Sequence, residues 1–191
     1  MSGQFRLLRE RRFLPFFLTQ FLGAFNDNVY KNALVVLITF QAARLGADSP
    51  GVLVNLAAGV FILPFFLFSA TAGQLADKYE KSRLIRATKL LEIAVMALAV
   101  VGFALMSLPL LLVVLFLMGA QSALFGPVKY AIIPQQLADD ELVGGNALVE
   151  AATFVAILAG TIVGGLLVAG DAGPGRVAVA VLAIALLGWW S

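Results

Sequence analysis

Long apolar runs broken by short polar punctuation organise this chain. Six of them are read as membrane-crossing helices, since a span needs roughly 20 apolar residues. The first runs from about Phe13 to Gln41 and is followed by the turn-rich "ARLGADSPG". The second, about Val52 to Ala76, ends in the charged run "DKYEKSRLIR", and the third covers about Leu84 to Met106. A tight "SLP" turn at Pro109 leads into the fourth, which reaches about Ile133. The connector "PQQLADDELVGGN", whose acids favour a helix start, leads to the fifth, about Leu142 to Ala169. After "GDAGPGR" the sixth begins near Val177 and stops at Ser191. Spans joined this closely predict an all-α membrane bundle.

Composition supports the same solvent. Of 191 residues, 61% are hydrophobic and only 13% charged, about half the charge of an ordinary soluble domain. The net charge of +2 and pI near 9.2 do not point to a nucleic-acid partner, because the basic residues sit in short pieces between oily runs. Cysteine is absent, so redox compartment is not legible, and histidine is absent too. That removes the commonest proton relay and metal ligand. No nucleophile–base set, metal cluster or phosphate loop is found, so no catalytic residue, metal or cofactor is expected in this chain.

The basic residues also orient it. Arg6, Arg9, Arg11 and Arg12 precede the first span, and Lys78, Lys81, Arg83, Arg86 and Lys89 lie between the second and third. The opposite side carries only Arg44 and Arg176, which predicts a cytoplasmic N-terminus. The leading arginines fit a charged leader, but the apolar run continues past Gly23 without a small-residue cleavage site, so the first helix is expected to be retained. The sixth span has only about fifteen apolar residues, short of a full crossing. Either Trp189 and Trp190 form an interfacial belt that ends the span, or the chain is truncated; it is read as a half or fragment of a longer protein.

The most specific short motif is "GQLADKYEKSRLIR", from Gly73 to Arg86. Gly73 permits close helix approach, Asp77 can accept from free backbone N–H groups at a nearby helix start, and Lys78, Lys81 and Arg83 hold the loop inside the cell. The spacing resembles the loop between helices two and three of the major facilitator superfamily, G-x-L-a-D-r-x-G-r-[RK]. Gly73, Leu75, Asp77, Lys78 and Lys81 match, whereas Glu80 replaces the second glycine. The resemblance implies that Asp77 helps lock the two halves of a transporter together. It also implies that the six spans are an N-terminal half made of two inverted three-helix repeats.

"FLGAFNDNVYKNAL", "GPVKYAIIPQQL" and "GGNALVEAATFVAILAGTIVGG" together resemble the bacterial lysophospholipid transporters, over essentially all six spans. In some bacteria these carriers are fused to an acyltransferase and an acyl–carrier-protein synthetase. "LFLMGAQSALFGP" stands where other facilitators place an arginine before a Gly-rich stretch, which argues against drug-exporter chemistry built on that arginine. The resemblance implies several partners: a lysophospholipid substrate, membrane lipids, a second six-helix half, and an acyltransferase and acyl-ACP synthetase, fused or separate.

Ionisable residues inside a span usually face a cavity and carry function. Asp27 lies about fourteen residues into the first span, roughly 21 Å along its axis and near the midplane where carriers hold substrate. Lys31 follows at i+4 and can pair with it, which leaves a purely structural pair as the alternative. Asn26 and Asn28 flank the acid and make a polar surface broader than one pair needs. Lys129 follows Pro127, which removes a backbone donor and can open the helix locally. It either snorkels to headgroups or meets a phosphate as a compact point charge. Glu150, one turn beyond Asn146, is the preferred neutraliser of Lys129, with Glu92 the other candidate. "GTIVG", Gly160 to Gly164, with Gly165 beside it, is read as a close-packing face.

The expected substrate path is thus Asp27, Lys129, Asn26, Asn28, Lys31 and Glu150, with apolar faces around Phe61, Phe65, Phe66 and Phe68. The expected function is movement of lysophospholipids, such as lysophosphatidylethanolamine, across the bacterial inner membrane to its cytoplasmic face for reacylation. Two alternatives stand beside it. One is a proton- or cation-coupled carrier of small solutes or drugs. The other is a membrane module serving an acyltransferase, whose His-and-Asp chemistry these residues cannot perform without histidine.

Overall fold

The computed structural model describes residues 4–45, 49–170 and 172–191, with residues 43 and 44 described by backbone alone. The predicted turns at 43–51 and 170–176 lie partly outside the described residues, as does the Arg44 side chain. Six long helices follow one another: α1 Leu14–Phe40, α2 Pro50–Lys78, α3 Lys81–Ala104, α4 Leu108–Gln136, α5 Leu142–Leu167 and α6 Gly173–Trp190. A 3₁₀ segment, Gln4–Arg9, precedes α1. Among the described residues there is no strand.

Proline begins much of this architecture. Pro15, Pro50, Pro109 and Pro174 each stand in the first turn of a helix, where a missing N–H leaves no bond unmade. Pro174 is why α6 starts at Gly173, ahead of the expected Val177, and reaches 18 residues. α4 continues as one helix through Pro127, so the local opening expected there does not end it. The "SLP" turn closes α3 by donating Ser107 N–H to Gly102 O at 3.1 Å. Met106 sits between them at φ 48°, a left-handed position usually given to glycine.

Five helices are long and apolar enough to cross a membrane: α2, α3, α4, α5 with its preceding 3₁₀ turn, and α6. α1 is outside this set although it has 27 residues. Its polar run from Asn26 to Asn32 dilutes the hydropathy.

The main contacts pair α1 with α5, α2 with α4, α3 with α4, α3 with α6 and α1 with α6. Exchanging α1 with α4, α2 with α5 and α3 with α6 maps this set onto itself. Such a pattern is what two inverted three-helix repeats produce. Both principal crossings are made by glycine. A Cβ on Gly164 of α5 would lie 2.4 Å from Val29 O of α1, and one on Gly119 of α4 would lie 2.4 Å from Phe61 O of α2. Gly160 is nearly as tight, at 2.7 Å from Phe25 O, whereas Gly165 and Gly73 face open space. The packing face in "GTIVG" is therefore Gly160 and Gly164, and Gly73 is not a point of close approach in this bundle.

The apolar core is divided. One cluster gathers Tyr30, Leu34, Met96, Phe103, Leu111 and Val181 with their neighbours. A second, at the end holding the N-terminus, gathers Leu7, Phe13, Phe16, Ile133, Leu137 and Val149. In chain position the buried polar residues Gln20, Asn26, Lys89, Glu92 and Gln121 fall between the two.

Gly164→Ala is expected to push α5 off α1, because the clash is with backbone that cannot rotate away. Overpacking of this kind costs about 1–3 kcal/mol. Gly165→Ala is expected to leave stability unchanged. Thermal unfolding of the full-length protein in detergent distinguishes the two, and equal melting temperatures would contradict this reading of the crossing.

Candidate functional site

The polar layer borders a cavity of about 290 Å³ between α1 and α4, lined among others by Asp27, Lys89, Glu92, Ser122, Phe125 and Lys129. Two residues marked as site candidates, Asp27 and Lys129, thus share one cavity. The Asp27 carboxylate accepts from Ser122 Oγ at 2.5 Å. Its other oxygen, Oδ1, is buried without a hydrogen-bond partner among the described residues. Buried acceptors are rarely left this way, so Asp27 retains capacity for one more hydrogen bond.

Lys129 donates to Glu150 Oε1 at 3.2 Å, and its ammonium lies 4.8 Å from the Tyr130 ring centroid. Tyr130 also donates to Glu150, at 2.7 Å. The preference for Glu150 over Glu92 as the partner of Lys129 agrees with this geometry. Glu150 is 43% exposed in its side chain and stands beside the cavity rather than among its lining residues.

Other candidates are dispersed. Asn28 donates to Ala24 O at 2.7 Å and packs against the Gly160 notch, 2.8 Å from a Cβ built there. It belongs to the α1–α5 contact and does not line the cavity. Lys31 does not line it either; its ammonium lies 5.2 Å from the Phe61 ring centroid. Among the described residues no ion pair joins Lys31 to Asp27; in place of that alternative, Asp27 meets Ser122 and Lys31 meets Phe61. Asn26 is fully buried and donates to Glu92 Oε1 at 3.1 Å. Of the phenylalanines, Phe65 lines the cavity, Phe66 is 81% exposed, and Phe68 packs edge-on against Phe116.

Sequence reasoning placed Lys89 with the basic loop. It is instead well inside α3, 2% exposed, and paired with Glu92 at 2.5 Å. The i,i+3 spacing of a lysine and a glutamate on an apolar helix was the available signal. Gln20, Ser122 and Thr153, all lining the cavity, were not singled out either. Single polar residues of these types are common on helices and carry no distinguishing pattern. Among the described residues no group of carboxylates assembles that could hold a metal ion.

The loop motif is also redistributed. Asp77 is exposed in the last turn of α2, and the residue that caps α3 is Glu80. Its carboxylate accepts from Ser82 N and Arg83 N, each at 2.9 Å. The expected capping role of Asp77 is corrected: a glutamate in the glycine position reaches the free N–H groups first because it is the residue before Lys81. Lys78 lies over the Tyr79 ring, while Lys81 opens α3 and Arg83 stands in its first turn. At the same end, Arg12 ties the N-terminal segment to the α4–α5 connection. It donates to both carboxylate oxygens of Glu141 and to Gln136 O, all at 2.8 Å. Glu141 is held below its ordinary pKa by the Ala138 N–H and by Arg12.

The family model of the Major Facilitator Superfamily matches residues 16–190. Among curated relatives, proteins named lysophospholipid transporter LplT from Salmonella newport (strain SL254), Salmonella agona (strain SL483) and Salmonella typhi are each 33% identical to this chain. The similarity extends over 154 residues, 81% of this chain. The chain spans only 36% of the length of those relatives.

The Glu80 cap generates a pH prediction. Its backbone and side-chain bonds from Ser82 and Arg83 lower its folded pKa below 4.5, so the cap stabilises α3 above that pH and is lost as pH falls through the depressed value. Glu80→Ala is expected to speed amide hydrogen exchange at Ser82 and Arg83 at neutral pH, with little further change on acidification. Unaltered exchange at both amides would assign the capping to other groups.

Proposed function

The chain belongs to the major facilitator superfamily, and from that premise we propose that it forms the N-terminal six-helix half of a lysophospholipid carrier in the bacterial inner membrane. The observation that carries this reading is the shared cavity of Asp27 and Lys129. A single-chain phospholipid needs apolar walls for its tail and charges of both signs for its head. Phe65 and Phe125 supply apolar surface, Asp27 offers a carboxylate oxygen to an ammonium, and Lys129 offers a compact cation to a phosphate. The likeness to proteins named for lysophospholipid transport supports the same substrate class.

In this reading a second six-helix half closes the cavity, and the halves rock about the site to expose it to each side in turn. Asp77 and Lys78 at the end of α2, and Lys81 and Arg83 at the start of α3, flank the connection that meets that half, with Asp77 exposed. The N-terminus is cytoplasmic, since the basic N-terminal segment, the α2–α3 connection and the α4–α5 connection share one end. Transport runs toward the cytoplasmic face, where an acyltransferase and acyl-ACP synthetase, fused or separate, reacylate the product. A second reading, a proton- or cation-coupled carrier of small solutes, is favoured by one observation: the partnerless Oδ1 of Asp27 also suits an ion.

Full-length protein in proteoliposomes tests both. Lysophosphatidylethanolamine uptake is expected, and Asp27→Asn is expected to lower it roughly tenfold, the scale of one charge-assisted hydrogen bond, with membrane insertion intact. Lys129→Met is expected to act similarly. Wild-type protein that moves a soluble solute and no lysolipid would establish the second reading.

A further inference from the structure

The N-terminal 3₁₀ segment Gln4–Arg9 has three sides, and the bundle uses one of them. Side chains at i and i+3 of a 3₁₀ helix eclipse, so Gln4 and Leu7 share one side, Phe5 and Leu8 a second, and Arg6 and Arg9 a third. The first side meets the bundle. Leu7 is 3% exposed, in the core cluster with Phe13 and Val149, and the Gln4 Cβ stands 3.0 Å from a Cβ built on Gly144 of α5. Arg12 completes the attachment through Glu141 and Gln136. The segment is thus fixed beside the start of α5, a helix long and apolar enough to cross a membrane. The start of such a helix lies at the boundary between lipid and water.

The other two sides are unclaimed. Phe5 is 67% exposed, with Leu8 half-buried on the same side. Val143, next to Gly144, is 82% exposed and adds apolar surface at this level. A single exposed phenylalanine is ordinary, but here an apolar side adjoins a cationic one on a segment pinned at the lipid boundary. The charges are also unbalanced. Glu10 and Glu141 are both engaged by Arg6 and Arg12. Arg9 and Arg11 are exposed, and neither forms an ion pair among the described residues. A protein partner would have to bring carboxylates to these two arginines, whereas the phosphates of a leaflet stand at this level already.

We propose that the Gln4–Arg9 segment, with Arg11, is an interfacial anchor that binds anionic phospholipids of the cytoplasmic leaflet. Phe5 enters the boundary between headgroups and acyl chains, and Arg9 and Arg11 meet lipid phosphates. Through the Arg12–Glu141 contact the anchor also sets the height of the α4–α5 connection against the bilayer. The proposal takes from the transport reading the cytoplasmic placement of the N-terminus and nothing about the cargo.

The test uses full-length protein in nanodiscs of phosphatidylcholine with or without phosphatidylglycerol. Phe5→Cys, in an otherwise cysteine-free background, carries a nitroxide. Its collisions with oxygen, which concentrates among acyl chains, are compared with its collisions with a water-soluble nickel chelate. The label is expected to be oxygen-accessible and shielded from nickel in the anionic nanodiscs, and to shift toward nickel in the neutral ones. Arg9→Gln with Arg11→Gln breaks no ion pair and is expected to melt like wild type while losing the lipid dependence. Each arginine near an anionic surface accounts for roughly fivefold in occupancy. A label equally open to nickel in both lipids overturns the anchor. A label shielded equally in both lipids and in the double variant places protein over Phe5 and overturns it as well. Lysolipid uptake is scored separately, so failure of the transport reading is told apart from failure of the anchor.

Discussion

One carboxylate in the middle of the bundle constrains much of the rest. Glu92 is 1% exposed and carries two partners, the Lys89 ammonium on its own helix and the Asn26 amide on α1. A lone charge in hydrocarbon or packed protein is prohibitive, so the pair and its amide donor must stay together. That requirement ties α1 to α3 at this level through the single Asn26–Glu92 hydrogen bond. It also keeps the neighbouring interior polar, so that apolar packing is completed only above and below it. The two core clusters, one around Leu34 and Met96 and the other around Phe13 and Ile133, follow from this division.

Close backbone approach supplies the complementary constraint. In a bundle without a hydrophobic drive between lipid-facing helices, small residues allow the contacts that hold helices together. Gly160 and Gly164 bring α5 onto α1, and Gly119 brings α4 onto α2. These crossings are related by the exchange of the two three-helix repeats. They bind the outer helices α2 and α5 to α4 and α1, and the cavity lies between α1 and α4 themselves. Asp27 and Lys129 line that gap, each held by a neighbour, Ser122 for the one and Glu150 for the other.

Two of the residues that line the candidate site were legible before the fold was known. Asp27 and Lys129 stood out because an ionisable residue deep in an apolar run has few structural uses, and Glu150 stood out by its depth relative to Lys129. Asn28 and Lys31 did not join them, for a geometric reason. At 100° per residue, immediate neighbours of Asp27 leave its face, so Asn28 turns to α5; Lys31 shares the face, but its long chain carries the ammonium to Phe61. Lys89 was assigned to the loop because counting basic residues by proximity to a span end cannot distinguish a solvated lysine from one two turns inside a helix. Glu80 was taken as a mere departure from a glycine, although its position just ahead of a helix start suits a cap.

What the sequence determined by itself was the solvent, the number of long helices and their approximate ends, and the family. These depend on composition, apolar run length, proline placement and short motifs, all of them local along the chain. Only the tertiary structure decided which polar groups share a space. The union of Asp27 with Lys129 and the burial of Lys89 against Glu92 each depend on how α1, α3 and α4 are rotated about their axes. Rotation is set by contacts between residues some 60 to 100 positions apart, such as Asn26 with Glu92 and Ser122 with Asp27, and no local pattern encodes it.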